Sequence, residues 1–314
     1  MRKNFVFVFV FAMAVSIVLS ATTVPAFAYT VTGDLSSSGF TALSGDQSYA
    51  GSLAGLFDVS GNQALYINNG SPYSDMWANQ DYIVATNASG QAVTFGVGEI
   101  SVGNQGSNIT ITGNATTGYT ISGYGQTLSG VTNLNVVHVP GVSNGNVTYT
   151  TTLTITGNFT AAGTTTFTPS NFPGSYTLYT EAESQVSTGN HYTGVCLYTL
   201  LQQAGVNMSN YNQYFVLTGS DNGKTVLTMD EVLANNTPGN YDLIAYELNG
   251  SLLSSSRGYF RSVETTDDSN SRSLFTLANI DVESSVTPIP PSVYLFGTGL
   301  LGFVGLKRKF GFMR

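Results

Sequence analysis

Two carboxylates stand two residues apart at Glu181 and Glu183. In a strand that spacing puts both on one face. Such a pair can act as acid and base in glycoside hydrolysis, or simply carry charge into solvent. Asp267 and Asp268 lie in the polar run Thr265 to Ser271, which reads as an exposed loop. Carboxylate and carbonyl oxygens there suit calcium, although the ordered spacing of an EF-hand loop is missing. His138 and His191 are the only histidines. Neither has a second histidine or a cysteine at ligand spacing, so zinc is not supported and no metal ligand is assigned. Cys196 is the only cysteine, which excludes an intramolecular disulfide. It reads as a small neutral residue at the buried start of a helix. No Gly-x-Ser-x-Gly nucleophile elbow is present, and no catalytic residue is assigned. Trp77, Tyr119, Tyr124, Tyr211 and Tyr214 can stack on sugar rings or serve as ordinary packing aromatics.

The elements that must position these residues are mostly strands. Residues 108–112 and 151–155 alternate with period two. Residues 214–217 and 243–248 are continuous runs of β-formers, read as central strands. Val195, Leu197, Leu200, Leu201 and Ala204 recur at helical spacing, and Gly205 closes the run. A second helix is expected from Thr228, with its hydroxyl accepting from the Glu231 amide and Glu231 returning the bond. One plan runs twice through the chain. Val31-Thr32-Gly33 returns as Ile155-Thr156-Gly157, and Tyr82 to Thr86 as Tyr214 to Thr218. Gly118-Tyr119 returns as Gly258-Tyr259, and Asn133 to Val136 as Asn279 to Val282. The offsets of 124, 132, 140 and 146 grow in chain order, as small loop insertions would produce. Repeat one is expected over 29–140, a linker over 141–151 and repeat two over 152–285. Helix one is hard to place in repeat one, which reads as nearly all β. The fold class expected is α+β and β-rich, with two tandem mixed-sheet domains and short helices.

The two ends read differently. Arg2 and Lys3 precede an apolar run to Leu19, and Ala26-Phe27-Ala28 has the small-x-small form of a signal peptidase site. Residues 1–28 are therefore expected to be a signal peptide. At the other end, Pro288, Pro290 and Pro291 cannot continue a helix. A Gly/Leu-rich segment at 292–306 then leads into Lys307, Arg308 and Lys309. This tail, 286–314, resembles the sorting signal of exosortase-processed bacterial proteins, the PEP-CTERM type. That resemblance implies a terminal transmembrane helix at 292–306, transient membrane anchorage, cleavage near the prolines by an exosortase-type enzyme, and release to the cell surface or extracellular matrix. Between the two ends lie only four Lys and Arg against all 18 acidic residues, a formal charge of −14. Such a surface repels phosphate backbones, so nucleic acid is not an expected partner. Extracellular polysaccharide or envelope components fit better.

Residues from His191 to Val282 resemble the molybdopterin-binding domain of the sulfite-oxidase type. Thr193 to Val206, Val216 to Val232 and Leu243 to Gly250 carry the likeness, and Arg261 stands where that family has an arginine. The family binds molybdenum through one thiolate, a soft ligand. By alignment that position falls at Glu181-Ala182-Glu183, where there is no thiol, and basic donors for the anionic tail of a pterin are few. No cofactor is therefore expected, and His191, Cys196 and Arg261 remain only as weak pocket residues. The function these readings favour is a non-catalytic exported surface or matrix protein. The alternatives are a small-molecule or polysaccharide-binding module, and a divergent oxidoreductase or hydrolase.

Overall fold

A computed structural model describes residues 28–33, 45–57, 80–101, 109–141, 149–183, 189–254, 258–267 and 272–285. The first half contains β1 (Tyr29–Gly33), β2 (Gly45–Gln47), β3 (Gly51–Ser52), α1 (Leu53–Leu56), β4 (Asp81–Asn87), β5 (Ala92–Gly96), α2 (Val97–Ser101), β6 (Thr110–Asn114), β7 (Gly118–Gly123), β8 (Gln126–Ser129) and β9 (Val131–His138). The second half opens with β10 (Leu153–Gly157), β11 (Thr166–Phe167), β12 (Leu178–Ala182), β13 (His191–Cys196), α3 (Leu197–Ala204), β14 (Gln213–Gly219) and β15 (Lys224–Thr228). It continues through α4 (Met229–Ala234), β16 (Asn236–Thr237), β17 (Asn240–Leu248), β18 (Ser251–Leu252), β19 (Arg261–Glu264) and β20 (Leu277–Ser284).

Each half holds one five-stranded mixed sheet, and the two sheets share one plan. Their orders are β2-β1-β9-β4-β5 and β11-β10-β20-β14-β15. The single parallel pairing sets Val31 opposite Leu134 in one and Ile155 opposite Ile280 in the other. Tyr82 faces Val137, as Tyr214 faces Glu283. Even the register irregularity recurs, at Thr86/Asn87 and at Thr218/Gly219. These pairings sit at the offsets of 124, 132 and 146 read in the sequence. Gly33 and Gly157 end β1 and β10 at φ +101° and +108°. A Cβ there would overlap the carbonyl oxygens of Val136 and Val282, so only glycine satisfies both demands.

A second sheet backs each of these. It has four strands in the first half, β3-β6-β7-β8. In the second half it has six, β12-β13-β17-β16 with β18 and β19 also on β17. Between the sheets of the first half lie Val31, Ile83, Phe95, Ile121 and Leu134. Their counterparts in the second include Ile155, Phe215, Leu227, Phe260 and Ile280.

The helices are short and close strands rather than span anything. Gly205 ends α3 in the left-handed conformation, at φ 105°. At α4 the expected capping box is not made: no hydrogen bond from the Thr228 N–H reaches the Glu231 carboxylate, and the Thr228 hydroxyl does not cap the helix. It turns to the other half of the molecule. The first half also has two helical segments, α1 and α2, where the sequence reads as nearly all β. Ser52 caps α1, accepting from the Gly55 amide at 3.0 Å.

One expectation is corrected. No helix among the described residues is long and apolar enough to cross a membrane. The longest, α3, has 8 residues, which covers about 12 Å of a hydrocarbon layer ~30 Å thick. The fold class of the described residues is β-rich mixed sheet, and none of their helices spans a membrane. The expectation of transient membrane anchorage is corrected with it. The segment 292–306, with Pro288, Pro290, Lys307, Arg308 and Lys309, lies outside the described residues, as does Ala26; Ala28 is exposed at the start of the described chain.

Candidate functional site

The two five-stranded sheets meet face to face through β4 and β5 on one side and β14 and β15 on the other. Alternation explains the surfaces. Ile83, Ala85, Val93 and Phe95 point into their own core, which leaves Tyr82, Val84, Thr86 and Thr94 on the opposite face. Tyr82 stacks on Tyr214, its equivalent, with ring centroids 4.2 Å apart. Tyr82 Oη donates to Tyr214 Oη at 3.1 Å. Val84, Val216 and Val226 join them in one apolar cluster, with Val137 and Val139 packed against it. Thr94 Oγ1 donates to Ser285 Oγ at 3.0 Å. Tyr82 and Tyr214 thus face one another as equivalent residues.

Beside the tyrosine stack lies a cavity of about 380 Å³, lined by Tyr82, Val84, Thr86, Asn133, Asn135, Val137 and Ser285. Asn133 and Asn135 are held by β1: Thr32 Oγ1 lies 3.1 Å from the Asn133 amide oxygen and 3.0 Å from that of Asn135. The equivalent row in the second half is Thr156 with Asn279 and Asp281, at 3.2 and 3.0 Å. There the neutral pair becomes partly acidic, and burial with the Asp281 charge beside it pushes the Glu283 carboxyl up. The groove lining carries no charged side chain.

A buried acidic network that no local pattern announces reaches the same interface through Glu99. Glu99 on α2 and Glu231 on α4 occupy equivalent places, 132 residues apart. Gly96 N donates to the Glu99 carboxylate at 3.3 Å. The Thr228 hydroxyl crosses the interface to Glu99 Oε2 at 3.4 Å, which is why it is missing from its own helix cap. Arg272 is 1 % exposed. It pairs with Glu231 and holds Asp267 through Nε at 2.7 Å and Nη2 at 2.5 Å. Asp267 is therefore fully buried, and the reading of Thr265 to Ser271 as an exposed calcium-type loop is corrected on that residue. Asp268 lies outside the described residues. Burial pushes Glu99 and Asp242 well above the usual carboxylate range, and Asp230 and Glu264 up to about 8.

The residues singled out from the sequence are placed apart. Glu183 is buried and gives its carboxylate to Arg261 Nη2 at 2.5 Å. Glu181 is half-buried and accepts from the Gly239 amide at 3.1 Å. They are not a matched pair on one open face, because Glu183 lies beyond the end of β12 and turns inward. Arg261, 1 % exposed, also donates to Tyr192 Oη and lies over the Phe275 ring at 3.7 Å. His191 is exposed at the start of β13, where its N–H bonds Asn249. Cys196 is buried at the far end of that strand, about 16 Å away by strand rise. Its thiol faces Asn236 Oδ1 at 3.8 Å, and burial pushes its pKa up. His138 Nδ1 meets Asp81 Oδ1 at 2.7 Å, a contact that ties β9 to β4. Tyr119 is buried edge-on to Tyr29. Tyr211 is exposed, and Trp77 is outside the described residues.

These placements do not fit a molybdopterin. Ala182, at the position that would supply the thiolate, pairs with His191 at the end of an edge strand. Arg261 and Arg272 already serve internal carboxylates, which leaves neither to bind an anionic pterin tail. The chain has one cysteine, and among the described residues no group of three or more His, Cys, Asp and Glu could hold a metal ion.

No protein-family model matches this chain, and no curated protein does. Among solved structures it is similar to the sulfane dehydrogenase SoxCD from Paracoccus pantotrophus, at 18% identity and a TM-score of 0.33. That similarity covers 48% of this chain and 42% of the other, so the chain spans under half the length of the protein it matches. A likeness of that degree carries no function across.

Proposed function

We propose that this protein is a non-catalytic binding module that takes a small, uncharged, polyhydroxylated ligand in the groove beside the Tyr82–Tyr214 stack. The observation that carries this reading is the lining itself: Asn133, Asn135, Thr86 and Ser285 over Tyr82 and Val137, in a cavity of about 380 Å³ with no charged side chain. A cavity of that size falls at the small end of ligand pockets, typically ~300–1,000 Å³. The one Thr32 hydroxyl hydrogen goes to the amide oxygen of Asn133 or of Asn135, and the two amide NH₂ groups are the donors available to a ligand. Thr86 and Ser285 add hydroxyls of either polarity. An anionic ligand would find no counter-charge there and would meet a net-acidic protein.

The test is a calorimetric titration with neutral mono- and disaccharides, with sugar phosphates as the charged comparison. The expected outcome is a neutral saccharide binding with Kd on the order of 10 µM to 1 mM, weakened at least about fivefold by Asn135→Ala. Equal binding of the sugar phosphates, or an affinity unchanged by Asn135→Ala, overturns the reading.

A further inference from the structure

Six carboxyl side chains form one buried cluster: Glu99 of the first half meets Asp230 and Glu231 of the second, and Asp242, Glu264 and Asp267 of the second half lie behind them. Each is at most 2 % exposed. Among the described residues a single guanidinium, that of Arg272, reaches into them, and it pairs with Asp267 and Glu231. Two carboxylates thus share one positive charge. Glu99, Asp230, Asp242 and Glu264 have no cation of their own in this network, and ionising them in place would set like charges together out of water.

We infer that the two halves are latched by protons: the carboxyl cluster between α2 and α4 holds the sheets together while its unpaired members are protonated, and the halves part when those members ionise. Glu99 is the central group because it comes from the opposite half. It faces Glu231, Asp230 and Arg272 from the second half and Tyr124 from the β7–β8 turn of its own, and it also accepts from Thr228. Asp230 faces Glu231 and the Gln126 amide of the first half. Asp242 faces Glu231, Glu264, Asp267 and Arg272, and accepts from Asn235 Nδ2 at 3.1 Å. Glu264 faces Asp267 and Arg272, with Ser262 and Ser273 beside it. The Thr228 hydroxyl bonds Glu99 from the other half, so this titrating group lies on the contact surface itself.

Burial raises these carboxyls, so the closed form binds protons that the open form, with carboxyls near ~4 in water, has released. Closure is favoured most at acid pH. That advantage shrinks as pH rises above ~4 and is lost as pH passes through the closed-form values, about 8 for Asp230 and Glu264. The latch does not depend on what occupies the groove.

The test is small-angle scattering of the full chain from pH 6 to 9.5, with far-UV circular dichroism on the same samples. The radius of gyration is expected to rise reversibly near or above pH 8 while the dichroism stays constant. Glu99→Gln keeps the hydrogen bonds but cannot ionise, and should move the midpoint up by about one pH unit or more. Asp230→Asn should move it in the same direction and stands as the second variant if Glu99→Gln does not fold. A radius constant to pH 9.5, a midpoint unmoved in the folded variants, or expansion together with loss of dichroism overturns the latch.

Discussion

The two halves agree closely in one sheet and disagree in the other. The five-stranded sheets match residue for residue in pairing, down to the glycine that ends β1 and β10. The backing sheets do not. In the first half β6 meets β7 with Ile111 opposite Ile121, both buried and apolar. In the second, β17 meets β19 with Ala245 opposite Arg261, and that arginine needs Glu183 and Tyr192 to satisfy it. The sheets that touch each other have kept one geometry, while the outer sheets have taken different routes to a filled core. Facing surfaces constrain both copies at once, because a change at Tyr82 or Val84 alters the packing of Tyr214 and Val216.

That contrast fails first if the second half does not need its buried ions. Arg272→Met removes the charge shared by Asp267 and Glu231 and leaves two carboxylates buried. The loss expected in chemical denaturation is about 3–5 kcal/mol. Adding Asp267→Asn and Glu231→Gln to that variant should restore part of it, since neutral amides carry no unpaired charge. An Arg272→Met protein as stable as the parent would mean that the network is not what holds the second half.

The matched sheets make a prediction of their own. Gly33→Ala and Gly157→Ala each force a Cβ onto a carbonyl oxygen at positive φ. Each should cost about 2 kcal/mol or more, and the two costs should be similar, because the local geometry is the same. Thermal or denaturant unfolding of the two variants checks this. A cost at one position only would show that the two halves are held by different constraints despite their common register.

Much of the five-stranded sheets was legible in the sequence because strands print a strong local pattern. Apolar runs at 83–85 and 214–217 and the repeated Thr-Gly ends of β1 and β10 gave the elements and their offsets. The helix at 197–204 was equally plain from its spacing and its terminal glycine. The acidic network was not legible. Glu99 sits between Gly98 and Ile100 in a short segment with no helical period, and Asp267 sits in a run of Thr, Asp and Ser that carries every mark of a loop. The partner of Glu99, Thr228, is 129 residues away, and Arg272, which holds Asp267 from five residues on, is itself buried against Glu231 of a distant helix. Tertiary pairing of that kind leaves no local trace. The groove escaped for the same reason, since Ser285 and Asn135 come from different halves.

The smallest effect offers the sharpest view of the contact between the halves. Tyr82 and Tyr214 are equivalent residues whose hydroxyls share one hydrogen bond, at 3.1 Å. Tyr82→Phe and Tyr214→Phe each remove that bond and leave the rings stacked, so each should cost about 1 kcal/mol. The double variant should cost little more than either single one, because the bond can be lost only once. A double-variant cost equal to the sum of the singles would mean that each hydroxyl is held by its own half. A saving that nearly equals one single cost would place the coupling between the halves in this one contact.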